Sequence, residues 1–224
     1  TIRGQVVDPD GKPVSSARVY LTPAHGYLGK PNHLVVETNT RSTGYFSIQV
    51  PKAKEFEHSL IVSAVAPGFG VNWLKTTPGD RLDNLRLPLV IDDVPIDGQI
   101  VDLEGTPVTG ASLRVIQVNT SSLEDLSAWL TAVERKEGDS WDLEHKYLPR
   151  YTLEPSSIVR TDTSGRFQLT GIGRNRVAWL LLDGPSIVTQ QLRVVTRPSQ
   201  ALEIPHGGDQ SKNGEPLVTT TYFG

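Results

Sequence analysis

One phrase occurs twice in this chain, and it constrains the fold more than any other feature. Residues 4–14 read GQVVDPDGKPV and residues 98–108 read GQIVDLEGTPV, a constant 94 positions further on. Gly4, Val7, Asp8, Gly11, Pro13, Val14 and Ala17 return as Gly98, Val101, Asp102, Gly105, Pro107, Val108 and Ala111. A second phrase, Thr43-Gly44-Tyr45-Phe46, returns as Ser164-Gly165-Arg166-Phe167, now offset by 121. The offsets differ by 27 residues, so the second copy carries an insertion of about that size. A 224-residue chain built from two copies of one frame is two units of about 100 residues each.

Each repeated phrase is a strand, a turn and a return. Ile2, Gln5-Val6-Val7 and Val14 flank Asp8-Pro9-Asp10-Gly11, where Asp accepts backbone N–H bonds, Pro presets φ and Gly supplies the left-handed residue. Pro13 cannot donate to a central ladder and suits an edge or a strand start. Asp-x-Asp-Gly also opens calcium loops, but the later acidic ligands of that spacing are absent, so the phrase reads as an ordinary turn.

The remaining runs are short, rich in Val, Ile, Leu and Thr, and separated by Gly, Pro, Asn or Asp, which is the pattern of a β-sandwich. In the first unit, 1–94, strands are expected at Ile2–Asp8, Ala17–Leu21, Leu34–Thr38, Tyr45–Val50, Leu60–Ala66 and Leu85–Ile91, with a long loop from Pro23 to His33. Asp92-Asp93-Val94-Pro95 is a very short linker. In the second unit, 95–197, strands are expected at Ile96–Asp102, Ser112–Val118, Ile158–Asp162, Phe167–Thr170, Arg176–Leu182 and Ile187–Thr196. The insertion, 119–157, reads as helical. Ser121 and Glu124 have the spacing of a capping box, and Leu123, Leu126, Leu130 and Val133 form one stripe before Arg135, Lys136 and Gly138. A shorter helix is expected from Trp141 to Leu148, stopped by Pro149. The last residues, 198–224, read as a flexible tail, mobile over His206–Glu215 and ending in a strand at Leu217–Phe223. The fold class expected is all-β: two transthyretin-like or Ig-like β-sandwiches in tandem, the second with an α-helical insertion.

Both copies resemble the carboxypeptidase regulatory-like domain, a transthyretin-like seven-stranded sandwich. The phrases that carry this are GQVVDPDGKPVSSARV, TGYF and AVAPGFG in the first copy, and GQIVDLEGTPVTGASLRV and TDTSGRF in the second. The second copy departs from the pattern where Asp183-Gly184-Pro185 replaces Ala66-Pro67-Gly68-Phe69, and Arg41 stands where Asp162 stands in the second copy. The resemblance extends to tandem modules of large bacterial envelope proteins. It implies a cell-envelope or extracellular location, and flanking domains of the same polypeptide as partners. The zinc carboxypeptidases associated with this family use a separate domain that this sequence does not contain.

Chemistry is sparse. With 25 acidic and 22 basic residues the net charge is −3, which gives no electrostatic footprint for nucleic acid. There is no cysteine, so disulfides, thiolate metal sites and cysteine catalysis are excluded. No apolar run reaches membrane-helix length. The chain starts at Thr1 and has no Met, as expected of a processed product or an excised fragment from which any signal peptide is missing. His25, His33, His58, His145 and His206 show no zinc-peptidase spacing, and His33 and Glu37 would lie ~13 Å apart along one strand. There is no nucleophile elbow and no phosphate loop. No catalytic residue, metal ligand or cofactor is implied, and the chain reads as a non-catalytic structural or interaction module. The rival readings are a carbohydrate- or peptide-binding module and, from the enzyme class, a hydrolase with an unrecognised carboxylate pair. A glycan or peptide platform would use Trp129, Trp141 and Tyr147 of the insertion together with Trp73, since aromatic faces stack on apolar ring surfaces. The blander reading is that these rings attach the insertion to the sheet. A related sandwich class forms internal Lys–Asn amide cross-links, which need a Lys, an Asn and a carboxylic acid side by side.

Overall fold

The structure is a computed structural model that describes residues 1–24, 35–52, 54–135, 146–149, 158–184 and 186–198, and the backbone of 202–210 and 216–223. Among the described residues it is all-β with one short α-helix, and the chain divides into two compact units, Thr1–Asp93 and Val94–Gly224.

The first unit holds β1 (Ile2–Val7), β2 (Arg18–Pro23), β3 (Val36–Asn39), β4 (Tyr45–Ile48), a 3₁₀ turn at Lys54–Phe56, β5 (Leu60–Val65), β6 (Phe69–Gly70), β7 (Asn72–Thr76), β8 (Leu85–Pro88) and β9 (Val90–Ile91). One sheet runs β4-β1-β8, the other β3-β2-β5-β7, and β6 pairs with β9. β1 lies antiparallel to β4 and parallel to β8, in the register Gly4↔Leu85 to Val7↔Pro88. Alternation along each strand turns Ile2, Val6, Phe46, Ile48 and Leu87 of one sheet onto Val19, Leu21, Val62 and Ala64 of the other. Each of these side chains larger than Ala contributes roughly 1.5–3 kcal/mol by leaving water. The strands β6 and β7 were not expected from sequence, because Gly70 and Asn72 read as turn residues. Pairing of Asn72–Thr76 with β5 overrides that propensity. Leu85–Ile91, expected as one run, breaks after Pro88, which has no N–H to donate, and Val90–Ile91 turns to β6.

The second unit holds β10 (Ile96–Gln99), β11 (Ser112–Thr120), α1 (Ser127–Glu134), β12 (Lys146–Pro149), β13 (Ile158–Arg160), β14 (Arg166–Leu169), β15 (Val177–Gly184), β16 (Ile187–Val195), β17 (Leu202–Gln210) and β18 (Pro216–Phe223). The register repeats that of the first unit. Gly98 faces Phe167 as Gly4 faces Phe46, and Ser112 faces Asp183 as Arg18 faces Val65. Thus β10, β11, β13, β14, β15 and β16 stand in the places of β1, β2, β3, β4, β5 and β7. The large sheet runs β12-β11-β15-β16-β18-β17, with β13 also on β11, while β10 pairs with β14 alone among the described residues.

Three expectations need correction. The helix begins at Ser127, not Ser122, and residues 146–149 form a strand, not the end of a second helix. Leu148 is buried where it faces Val118, so the ladder to β11 and sheet burial outweigh the local helical pattern. In the tail, residues 206–210 belong to β17, which pairs with β18, and β18 runs parallel to β16. The strand expected at Leu217–Phe223 is there. Most of the loop Pro23–His33, and Trp141, lie outside the described residues.

Candidate functional site

The repeated turns are built by their own acidic residues. Asp8 Oδ1 accepts the Lys12 N–H at 2.8 Å, and Asp102 Oδ1 accepts the Thr106 N–H at 2.7 Å. Gly11 and Gly105 take φ of 83° and 84° at equivalent positions, which an L side chain resists. The aspartates are therefore occupied as loop clamps. No group of three His, Cys, Asp or Glu side chains comes together among the described residues. His58 is described; the side chains of His25, His33, His145 and His206 lie outside the described residues.

The second unit buries Arg176 and Arg193, and the insertion supplies the acid that meets Arg176. β11 runs on to Thr120, and Ser121 then closes a turn whose Oγ accepts the N–H groups of Leu123 and Asp125, each at 3.2 Å. The expected capping box is not formed. Glu124 takes φ 60°, outside the helix, and its carboxylate turns inward. One oxygen meets Arg176 Nη2 at 2.5 Å and the other pairs with the Lys146 ammonium. Arg176 is fully buried and also donates to Thr120 Oγ1 at 3.1 Å, so the guanidinium joins the turn to β11. Burial pulls Arg176 below its ordinary value, partly offset by Glu124. Burial likewise pulls Lys146 below the usual 10.5; Glu124 opposes that shift and the Arg176 charge adds to it. Two cations on one carboxylate form a strut. Their positive charges repel a metal cation.

Leu126, Trp129 and Val133 of the insertion pack on Val177 and Val195. Leu123, expected in that stripe, is 87% exposed, because the helix starts after it and Leu126 takes the first inward position. Of the four aromatics expected as a platform, Trp129 is 1% exposed and Trp73, on β7 in the first unit, is also 1% exposed. A ring that deep offers no face to a ligand, so these two act as packing. Tyr147 on β12 is 45% exposed, and Trp141 is outside the described residues. Lys146 faces Thr120 and Tyr147 faces Asn119, so strand alternation sends Lys146 and Asn119 to opposite faces. That geometry does not favour an amide between them.

An apolar cavity of about 400 Å³ lies between β10 and the large sheet, lined by Ile96, Phe167, Leu180, Leu182, Leu192 and Val194, with Asp97, Gln99 and Gln190 at its margin. Sequence reasoning missed it. Its signal lay in the two copies being unequal beyond the repeated phrase, which only the strand register displays.

No family model matches the chain, and no curated protein matches it. Solved structures with partial likeness include a streptococcal ancillary pilin, 12% identical, covering 98% of this chain and 61% of the pilin with a TM-score of 0.31. The shaft pilin of Lactobacillus rhamnosus GG is 11% identical over 99% of this chain and 97% of its own, with a TM-score of 0.28. The pilus backbone of Streptococcus pneumoniae is 13% identical over 100% and 63%, also with a TM-score of 0.28. The chain thus spans less than two thirds of the ancillary pilin and of the pilus backbone. Superposition at these scores does not amount to a shared topology.

Proposed function

We propose that this chain is a non-catalytic structural module, a spacer or docking unit of a larger bacterial cell-envelope or extracellular protein, with flanking domains of the same polypeptide as its partners. The observation that carries this reading is where the polar side chains point. Asp8 and Asp102 close turns, and Glu124, Lys146 and Arg176 neutralise one another under the insertion. The cavity of the second unit is lined chiefly by aliphatic groups and brings together no acid, base and nucleophile. Two copies of one frame, each with its own turn clamp, suit a chain whose task is to hold a length and a shape. The resemblance of both repeated phrases to carboxypeptidase regulatory-like domains and to tandem envelope modules favours the same reading. Turnover assays on peptide, ester and glycoside substrates test it. We expect none, and turnover abolished by a single Asp or Glu substitution would establish the hydrolase instead. The sequence of the full-length gene product tests the envelope assignment, through its flanking domains.

A second reading, a glycan- or peptide-binding insertion, is supported by the exposure of Tyr147 on β12. It narrows the aromatic platform to Tyr147 and Trp141. Glycan and peptide arrays with the Tyr147→Ala and Trp141→Ala variants decide it: binding unchanged in both removes the reading.

A further inference from the structure

The two units differ at one edge. In the first, β1 is covered on its outer side by β8, and Leu87 N–H and C=O groups lie in a parallel ladder beside Val6. Leu85 and Leu87 complete the core against Val62, Ala64 and Leu74. In the second unit no strand covers the same side of β10 among the described residues. The equivalents of Val62, Ala64 and Leu74 are Leu180, Leu182 and Leu192, as their registers on the neighbouring strands require. Those three side chains line the cavity. The change shows at one repeated residue: Val7 is 1% exposed, whereas Val101, its copy, is 45% exposed. The cavity is therefore the space that a β8 would fill.

The chain contains a second copy of that strand. Leu85-Arg86-Leu87-Pro88 has its counterpart in Leu202-Glu203-Ile204-Pro205, which in this structure is the start of β17, paired with β18. The connection has the right length. Eight residues, 77–84, separate Thr76 from Leu85, and seven, 195–201, separate Val194, the equivalent of Thr76, from Leu202. Seven extended residues span up to ~23 Å.

We propose that the open edge of β10 and the cavity behind it form a strand-accepting groove whose occupant is Leu202–Pro205 of the same chain. The strand enters parallel to β10 in the register Gly98↔Leu202, Gln99↔Glu203, Ile100↔Ile204 and Val101↔Pro205. Leu202 and Ile204 then stand where Leu85 and Leu87 stand in the first unit, and Glu203 points outward as Arg86 does. Seating gains a ladder along an edge that is unpaired among the described residues and removes apolar wall from water. It requires Leu202–Pro205 to leave β18, which keeps its parallel pairing with β16. The segment thus has two pairing choices, an open form with a strand-binding groove and a closed form that has filled it. Recognition of an extended segment by a sheet edge with side-chain pockets is a general mode of peptide binding.

The chain has no cysteine, so an engineered pair reports without background. In the full 224-residue chain, Gln99→Cys with Glu203→Cys places two sulfurs on register partners of the closed form. The expected result is an intramolecular disulfide under mild native oxidation, at least ~10-fold more abundant than in the denatured chain. Failure to form it overturns the proposal. Disulfide-linked dimers in place of the intramolecular species also overturn it, since a second copy is then the occupant. Should the double variant fail to fold, amide exchange in the unaltered chain decides. The N–H groups of Val6 and Ile100 bond to Gly44 and Gly165, on the β4 and β14 side. Those of Gln99 and Val101 therefore face the open edge. Exchange at Gln99 and Val101 at least ~10-fold slower than in an unstructured peptide supports the groove being filled, and exchange at the unstructured rate overturns it.

Discussion

Glu124 carries more of the second unit than its place in a loop suggests, because it is the anion shared by buried Arg176 and half-buried Lys146. Glu124→Gln leaves two cations under the insertion without a counter-charge, and we expect a loss of about 3 kcal/mol by urea denaturation. Lys146→Met removes one desolvated cation and leaves a single Arg176–Glu124 pair, so its expected effect is neutral or stabilising by about 1 kcal/mol. Lys146 has a folded value below the usual 10.5, so the unfolded chain binds more protons in the window just below that value. Stability contributed by this group therefore rises with pH across that window, and the slope of stability against pH should be more positive in the wild type than in Lys146→Met. Sequence could not pair these residues, which lie 22 and 52 positions apart across an insertion. What was legible at this scale were the turn residues, since Asp and Gly act within four positions of themselves. A repeated clasp was not read. Thr40 Oγ1 accepts the Ala17 N–H at 2.9 Å and donates to Val14 O at 2.7 Å, and Thr161 does the same for Ala111 and Val108 at 2.9 and 2.6 Å. The 121-residue offset held the signal, one position before Arg41 and Asp162.

The helix α1 shows how far periodicity reaches. Leucines at helical spacing located it, yet the turn at Ser121 and the left-handed Glu124 delay its start until Leu126 is already inside. Trp129 rather than Leu123 thus anchors it on Val177 and Val195. Truncating Trp129 to Ala opens a large void and is expected to destabilise the second unit by about 3–5 kcal/mol, while Leu123→Ala stays within about 0.5 kcal/mol. Urea denaturation followed by far-ultraviolet dichroism measures both. Equal effects for the two would restore the sequence-derived stripe. The strands were legible wherever β-branched runs alternate, in β1, β2, β4 and β5. They were not legible at β7 and β12, where Asn72, Lys75 and Lys146 interrupt the pattern and partner strands supply the ladder. The repeated glycines before β4 and β14 have a geometric cause. Gly44 and Gly165 both take φ 72°, and a Cβ on Gly44 would stand 2.6 Å from Val6 O. The return from each turn therefore passes too close to the first strand for any side chain.

At the scale of the molecule, equivalent strand registers recur in the two units with unequal closure, and closure decides how each unit unfolds. The first unit has its three-stranded sheet complete, with β8 seated and Leu87 and Leu89 buried in its core. Among the described residues the second has a two-stranded sheet opposite the large one and an apolar cavity between them. With this groove open, apolar walls face solvent instead of packing atoms, so the open form of the second unit lacks packing that the first has. Each unit has a core cluster of its own residues. Two transitions follow in chemical unfolding, the second unit leaving first. The tryptophans report them separately, because Trp73 belongs to the first unit and Trp129, Trp141 and Trp179 to the second. Trp73→Phe should therefore erase the fluorescence change of the later transition and keep that of the earlier one. A single transition seen identically by all four rings would mean that the two copies fold as one cooperative body, and the repeat would then mark a shared core rather than two.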